Sequence, residues 1–399
     1  MNVQERITAL LQKLAEQPEQ EMPRERTRTF TTLAMQYAYA GLPRDGLAAV
    51  KQALLLAKLH DFELERAQAL TAAAMCHHIR VDHQMSIACG LDAYLGFAAL
   101  NEYGQMGHTL TTLAAACQGL QACDLAEQAL RGCLSIAAHT GDKFLEARSR
   151  NTLGLTLTDC RRFDEAEQEF ISSRQCLIDL GELVHVPKVT INMSELCAKR
   201  ADAALLAGNE ILAQTLFLAS IQLARDGLKA ALADGNKFEI ANTTASIGEY
   251  YFFLKDISTA RLLIAQSHEI GCELKHARLI VNCEHWLGRI EMADGRLPEA
   301  AAHFLTAIDR ARQADLRSPQ QEAHQYLALC YVAMNQPDDA NAQDSLATEM
   351  KVAFNNANQE AQRELRMMWS NHFSHHPMII NSEANTNTNV SADPKQRAA

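Results

Sequence analysis

The chain has 399 residues, of which 48% are hydrophobic and 6% aromatic, and it carries a formal charge of −11. An acidic balance without a basic stripe excludes a nucleic-acid surface, which needs clustered Lys and Arg. Abundant Ala and Leu with few aromatics favour helices over sheets, and the length fits two or three ordinary domains unless one pattern runs through all of it.

Met1 to Glu16 lacks a cationic start followed by an apolar run, so it does not read as a secretory signal. Its apolar residues Ile7, Leu10, Leu11 and Leu14 form one helical stripe, which predicts a helix that caps the first repeat of a helical array. Gln17 to Arg26, with Pro18 and Pro23, reads as a connector, so residues 1–26 form an N-terminal cap.

From Thr27 a repeat sets in, clearest between Phe144 and Gly181. Leu153, Gly154 and Leu157 share one helical face, and Ala166, Phe170 and Ser173 share the next, spaced four and three. Asp164 is expected to open the second helix, with Glu167 completing a capping box. Steps of 40 from Gly154 reach Ala34, Ala74 and Ala114 on one side; beyond a gap of 94 they reach Gly248, Gly288 and Ala328. Twelve residues after each anchor stand Gly46, Ser86, Ala126, Ala166, Ala260, Ala300 and Ala340. Nineteen after it stand Ala53, Ala93, Cys133, Ser173, Ser267, Ala307 and Ala347. Columns of small side chains mark where two helices approach closely. One more repeat fits the gap, with its anchor at Ala201 and with Gly208, Ala213, Phe217 and Ser220 in its turn and second helix. Its seven extra residues on each side make about two helical turns, so the helices lengthen without turning their faces, and the fifth pair is expected to be the longest of eight.

The carried motif is a small residue, an aromatic three later, Gly seven later, Ala twelve later, then a large apolar and another small residue. It stands as Ala34, Tyr37, Gly41, Val50, Ala53; as Gly248, Tyr251, Ala260, Ile264, Ser267; and as Gly288, Gly295, Ala300, Phe304, Ala307. It resembles the tetratricopeptide repeat (TPR) family over most of the chain. The resemblance implies an all-α superhelix, a solenoid of about eight helix pairs spanning 27–350. Two features depart from the family: a period of 40 rather than about 34, and no closing Pro. HEAT and armadillo arrays also have periods near 40, but do not place Gly and Ala in these columns.

No run reaches the 18 or so apolar residues of a membrane span; the richest, Ala201 to Ala224, is interrupted by Asp202, Asn209, Glu210 and Gln222. Eleven cysteines sit singly in helices without a CxxC, as small buried residues of a reducing compartment. The expectation is a cytoplasmic protein with neither membrane nor nucleic-acid partner.

Past Asp338 the last helix is expected to run on through 351–370. Ala347, Met350, Phe354, Ala357, Ala361 and Met368 have heptad-like spacing, which leaves two alternatives: a homodimer seam, or a cap on the eighth repeat. Residues 371–399 read as a disordered polar tail. Met350 to Arg366 is similar to the connector between TPR-like sensors and diguanylate cyclase domains in bacterial signalling proteins, although the cyclase signature GG(D/E)EF is absent.

Catalytic constellations are missing: there is no phosphate loop, no GxSxG and no metal-ligand spacing at His77, His78 and His83. A non-enzyme without cofactor is expected. The TPR resemblance implies a concave groove lined by the first helix of each repeat, with residues six and three before the anchor and one after it facing inward. These positions hold Arg28, His108, Arg148, Asn151, Asn242, Glu249, Asn282, His285, Arg289, Glu322 and Gln325, and His78 lies one turn further along. Asn can both donate and accept to a peptide backbone, and Arg forks onto a carboxylate. Two functions compete: a scaffold holding a peptide or partner protein in the groove, and the sensory module of a bacterial signalling system without its output domain.

Overall fold

The computed structural model describes residues 3–18, 21–40, 42–80, 82–314 and 316–372. The motif's Gly41, the side chain of Met368 and the expected tail beyond residue 372 lie outside the described residues. The helices begin with α1 (Val3–Glu16), followed by α2 (Pro23–Tyr39), α3 (Pro43–Leu59), α4 (Glu63–Ile79), α5 (His83–Ala99), α6 (Tyr103–Gly119) and α7 (Cys123–Thr140). Next come α8 (Lys143–Asp159), α9 (Phe163–Asp179), a 3₁₀ turn (Leu183–His185), α10 (Val186–Leu206), α11 (Glu210–Asp234) and α12 (Lys237–Phe253). The last are α13 (Ile257–Glu273), α14 (Ala277–Ala293), α15 (Leu297–Gln313), α16 (Arg317–Ala333) and α17 (Pro337–His372). After α1 they form eight consecutive pairs, and no strand occurs among the described residues.

Almost every helix has 17 residues and almost every link has three, so the 40-residue period is two modules of 20. The link explains this regularity. Its middle residue, or its first where the link has only two, takes a left-handed conformation: Asp61, Asn101, Gln121, Arg161, Lys255, Lys275 and Asn335 at φ 51–65°, and Gly141, Gly181, Gly208, Gly235 and Gly295 at φ 66–75°. Its last residue donates its N–H to the carbonyl five back, as in Asp82 to His77 (2.9 Å), Asp142 to Ala137 (3.0 Å) and Asp256 to Tyr251 (3.0 Å). That closes one helix in a Schellman motif. The same residue opens the next: the Asp142 carboxylate accepts from the Leu145 N–H at 2.9 Å, and that of Asp256 from the Thr259 N–H at 3.1 Å. The expected capping box at Asp164 does not form. The N-cap is Arg162, without a side-chain cap bond, and Asp164 lies inside the first turn of α9. The 20-residue module places the cap two positions earlier than the acidic residues suggest.

Every anchor is buried, as are all positions 12 and 19 residues after an anchor. The reason is close helix approach within each pair. A Cβ on Gly154 would lie 2.6 Å from the Phe170 ring, and one on Gly288 would lie 2.6 Å from the Phe304 ring. Glycine thus makes room for a fully buried phenylalanine 16 residues later, a burial that contributes about 1.5–3 kcal/mol. Ser173 and Ser267 hydrogen-bond back to the carbonyls of Ala147 (2.7 Å) and Ala241 (2.8 Å), so the small polar side chains tie neighbouring helices together. Ile7 and Leu14 of α1 are buried in one cluster with Leu33, Ala34 and Val50. The fifth pair is longer than the regular ones, with 21 residues in α10 and 25 in α11 against 17 in α8 and α9, but it is not the longest of the eight, because α17 alone has 36 residues.

Contacts divide the chain into two units. The first holds the described residues up to Leu180 and those from Glu360 onward; the second holds Gly181–Gln359. In α17 the buried stripe runs through Ala340, Ala347, Asn358, Ala361, Leu365 and Trp369. Ala357, expected in the seam, is exposed. Steps of three, four and four through Asn358 follow the 3.6-residue turn of a straight helix, whereas a heptad of apolar residues passes over Asn358 because it is polar. From Glu360 the helix packs within the first unit, not as a cap on the eighth repeat.

Candidate peptide-binding face

In the first unit the inward positions fall into pairs. Arg28 of α2 donates to Glu65 of α4 at 2.8 and 3.0 Å, and Glu65 is 2% exposed. Burial of that carboxylate is offset by Arg28 and by Arg24, whose guanidinium lies over the Phe62 ring at 4.5 Å. His108 and Arg148 occupy one column in consecutive repeats, and Arg148 Nη1 donates to His108 Nδ1 at 3.3 Å. Burial first, and Arg148 second, hold the His108 imidazole below its ordinary pKa, with Asp142 opposing. The His78 ring packs against His83 at 5.7 Å, and Asn151 is half-buried on α8. His77 bonds to Asp82 at 3.2 Å, and no group of His, Cys, Asp or Glu is arranged to hold a metal among the described residues.

The second unit brings its positions together more densely. Asn282 of α14 donates to Glu249 of α12 at 3.1 Å. Burial pushes Glu249 up to about 7, with Glu195 of α10 raising it further while Asn282, Arg289 and Lys199 oppose. His285 is 6% exposed, 3.5 Å from Glu322 of α16, and driven down to about 3 by burial and then by Arg289. Burial likewise raises Glu322. Asn242 is exposed on α12, and Gln325 is half-buried on α16.

Arg289 is the centre of this face. Its guanidinium lies 3.9 Å from the Trp286 ring, 4.8 Å from Tyr326, 5.2 Å from Phe252 and 5.8 Å from Phe253. Four rings fix it by cation–π contact, and among the described residues it has neither a hydrogen bond nor an ion pair. Its five donors therefore remain available to an acceptor from outside. The inward-position rule missed Glu195, Lys199, Tyr326, Phe252 and Phe253. A signal existed for Tyr326: it lies 40 residues after Trp286, so the column two before the anchor is aromatic in both repeats.

No protein-family model and no curated protein matches the chain. Solved structures do. A STAND-class signal transduction ATPase with a tetratricopeptide repeat sensor from Pyrococcus horikoshii is 15% identical, with TM-score 0.53, over 92% of this chain and 55% of that one. A Rap protein complexed with competence and sporulation factor is 10% identical, with TM-score 0.54, over 88% of this chain and 100% of that one. The quorum sensor NprR from B. thuringiensis, in its apo form, is 12% identical, with TM-score 0.54, over 88% and 98%. The fold is TPR-like. The 40-residue period is accommodated by longer helices in this TPR-like array, and no helix of the described residues is long and apolar enough to cross a membrane.

Proposed function

We propose that the chain is a non-catalytic interaction scaffold, and that it holds an extended peptide or partner segment on the face shared by α10, α12, α14 and α16. The observation that carries this reading is Arg289, held by four aromatic rings with its hydrogen-bond donors unused, beside the Asn282–Glu249 pair. Asn282 and Asn242 suit a peptide backbone, and Arg289 suits a carboxylate or a backbone carbonyl. The similar Rap structure contains competence and sporulation factor, which supports a scaffold of this type. The eleven free thiols fit the reducing cytoplasm. A second reading, the sensory module of a bacterial signalling system, draws on α17, whose 36 residues could serve as a connector.

The test is selection of binders from a random peptide library, followed by affinity measurement by fluorescence polarisation. Arg289→Ala and Asn282→Ala are expected to weaken a selected peptide tenfold or more, about 1.4 kcal/mol, measured at a temperature where both variants remain folded, because each change also removes contacts within the protein. Unchanged affinity in both variants would place binding on another surface.

A further inference from the structure

The burial pattern of α17 is interrupted. Ala340 and Ala347 are buried, every residue of 351–357 except the half-buried Phe354 is exposed, and Ala361, Leu365 and Trp369 are buried again at 8%, 1% and 4% exposure. A helix that merely continued its own repeat would lose its packing gradually. This one runs bare for two turns and then docks a second time, through apolar residues at every fourth position.

The second docking has its own chemistry. Gln362 donates to the Leu120 carbonyl, one of the carbonyls that the end of α6 leaves available. Arg366 forks onto the Asp124 carboxylate in the first turn of α7, with Nη2 to Oδ1 at 3.1 Å. Gln84, in the first turn of α5, donates to Glu364. Three turns and helix ends of the first unit thus present a carbonyl, a carboxylate and an amide to the polar edges of one amphipathic helix.

We propose that residues 360–370 are a releasable latch, an amphipathic helix held in cis by a dedicated docking surface at the ends of α5, α6 and α7. The holding forces are modest and separable. Arg366 and Asp124 remain half-exposed, at 50% and 54%, so their pair adds little and is screened by salt. Leu365 and Trp369 supply most of the attraction by burial. The bare stretch 351–357 allows the end to detach without disturbing Ala340 and Ala347, an opening of the sub-global kind. Any self-association through Leu365 and Trp369 requires this release first, since both are already covered.

Hydrogen–deuterium exchange of the full chain tests the latch. Trp369→Ala is expected to speed exchange of residues 360–370 at least tenfold, and Arg366→Asp and Asp124→Arg each a few-fold at low salt, while α5, α6 and residues 337–347 keep their rates. The double reversal is expected to restore most of the protection, because the pair is rebuilt with its signs exchanged. Should Asp124→Arg loosen α7 itself, Arg366→Asp decides alone, since it changes only the latch. Wild-type exchange in Trp369→Ala or in Arg366→Asp, or a double variant as fast as the single ones, overturns the proposal.

Discussion

At the scale of single residues, the structure turns on positions where a side chain is missing or strained. Gly154 meets the Phe170 ring at a distance that no Cβ tolerates. Gly154→Leu is expected to cost on the order of 1–3 kcal/mol or more by overpacking, measured by denaturant unfolding; a neutral result would detach the small-residue columns from helix packing. Arg161 is the converse case, an exposed residue held at φ 58°. Relief of left-handed strain, about 1–2 kcal/mol, outweighs the added unfolded-state entropy of glycine, about 0.5–1 kcal/mol. Arg161→Gly is therefore expected to stabilise by up to about 1 kcal/mol, read from the same unfolding curves. Glu249 makes stability depend on pH. Its pKa is about 7 when folded, against about 4.3 when unfolded, so the folded state binds the extra proton between these values. The contribution is therefore present at low pH and is lost as pH rises through 7. His285 acts in the opposite direction: held down near 3, it removes stability as pH falls below about 6.5. Glu249→Gln is expected to raise the melting temperature at pH 8 relative to wild type and to narrow the difference at pH 5. An equal offset at both pH values contradicts the assignment.

At the scale of elements, the unit is a 17-residue helix plus a three-residue link whose last residue closes one helix and caps the next. Asp142→Ala is expected to cost about 1 kcal/mol, because α8 loses its cap; an unchanged unfolding midpoint would show that the backbone bond to Ala137 suffices. The pairing of helices, their number and the long fifth pair are legible in the sequence because Gly, Ala, Ser and Cys recur wherever two backbones approach, independent of composition. The cap near Asp164 is not, because acidic residues in a first turn resemble a capping box, whereas the register of the link decides which residue is the cap. The stripe of α17 is hidden because Asn358 is polar yet buried, and hydrophobic spacing alone selects Ala357.

At the scale of the whole molecule, the candidate face is only partly legible. Repeat offsets bring Glu249, Asn282, His285 and Arg289 onto one face. They do not show that burial raises Glu249, that aromatic rings clasp Arg289, or that Arg28 and Arg148 are already engaged by Glu65 and His108. Those are relations between repeats, set by side-chain reach and not by spacing. The central claim is that the face of α10, α12, α14 and α16 is where a peptide lies. The most direct measurement is site-specific photo-crosslinking of a library-selected peptide, with p-benzoylphenylalanine in place of exposed Asn242 on α12 or exposed Leu262 on α13. The account predicts peptide adducts from position 242 and none from position 262; adducts from position 262 alone would contradict it.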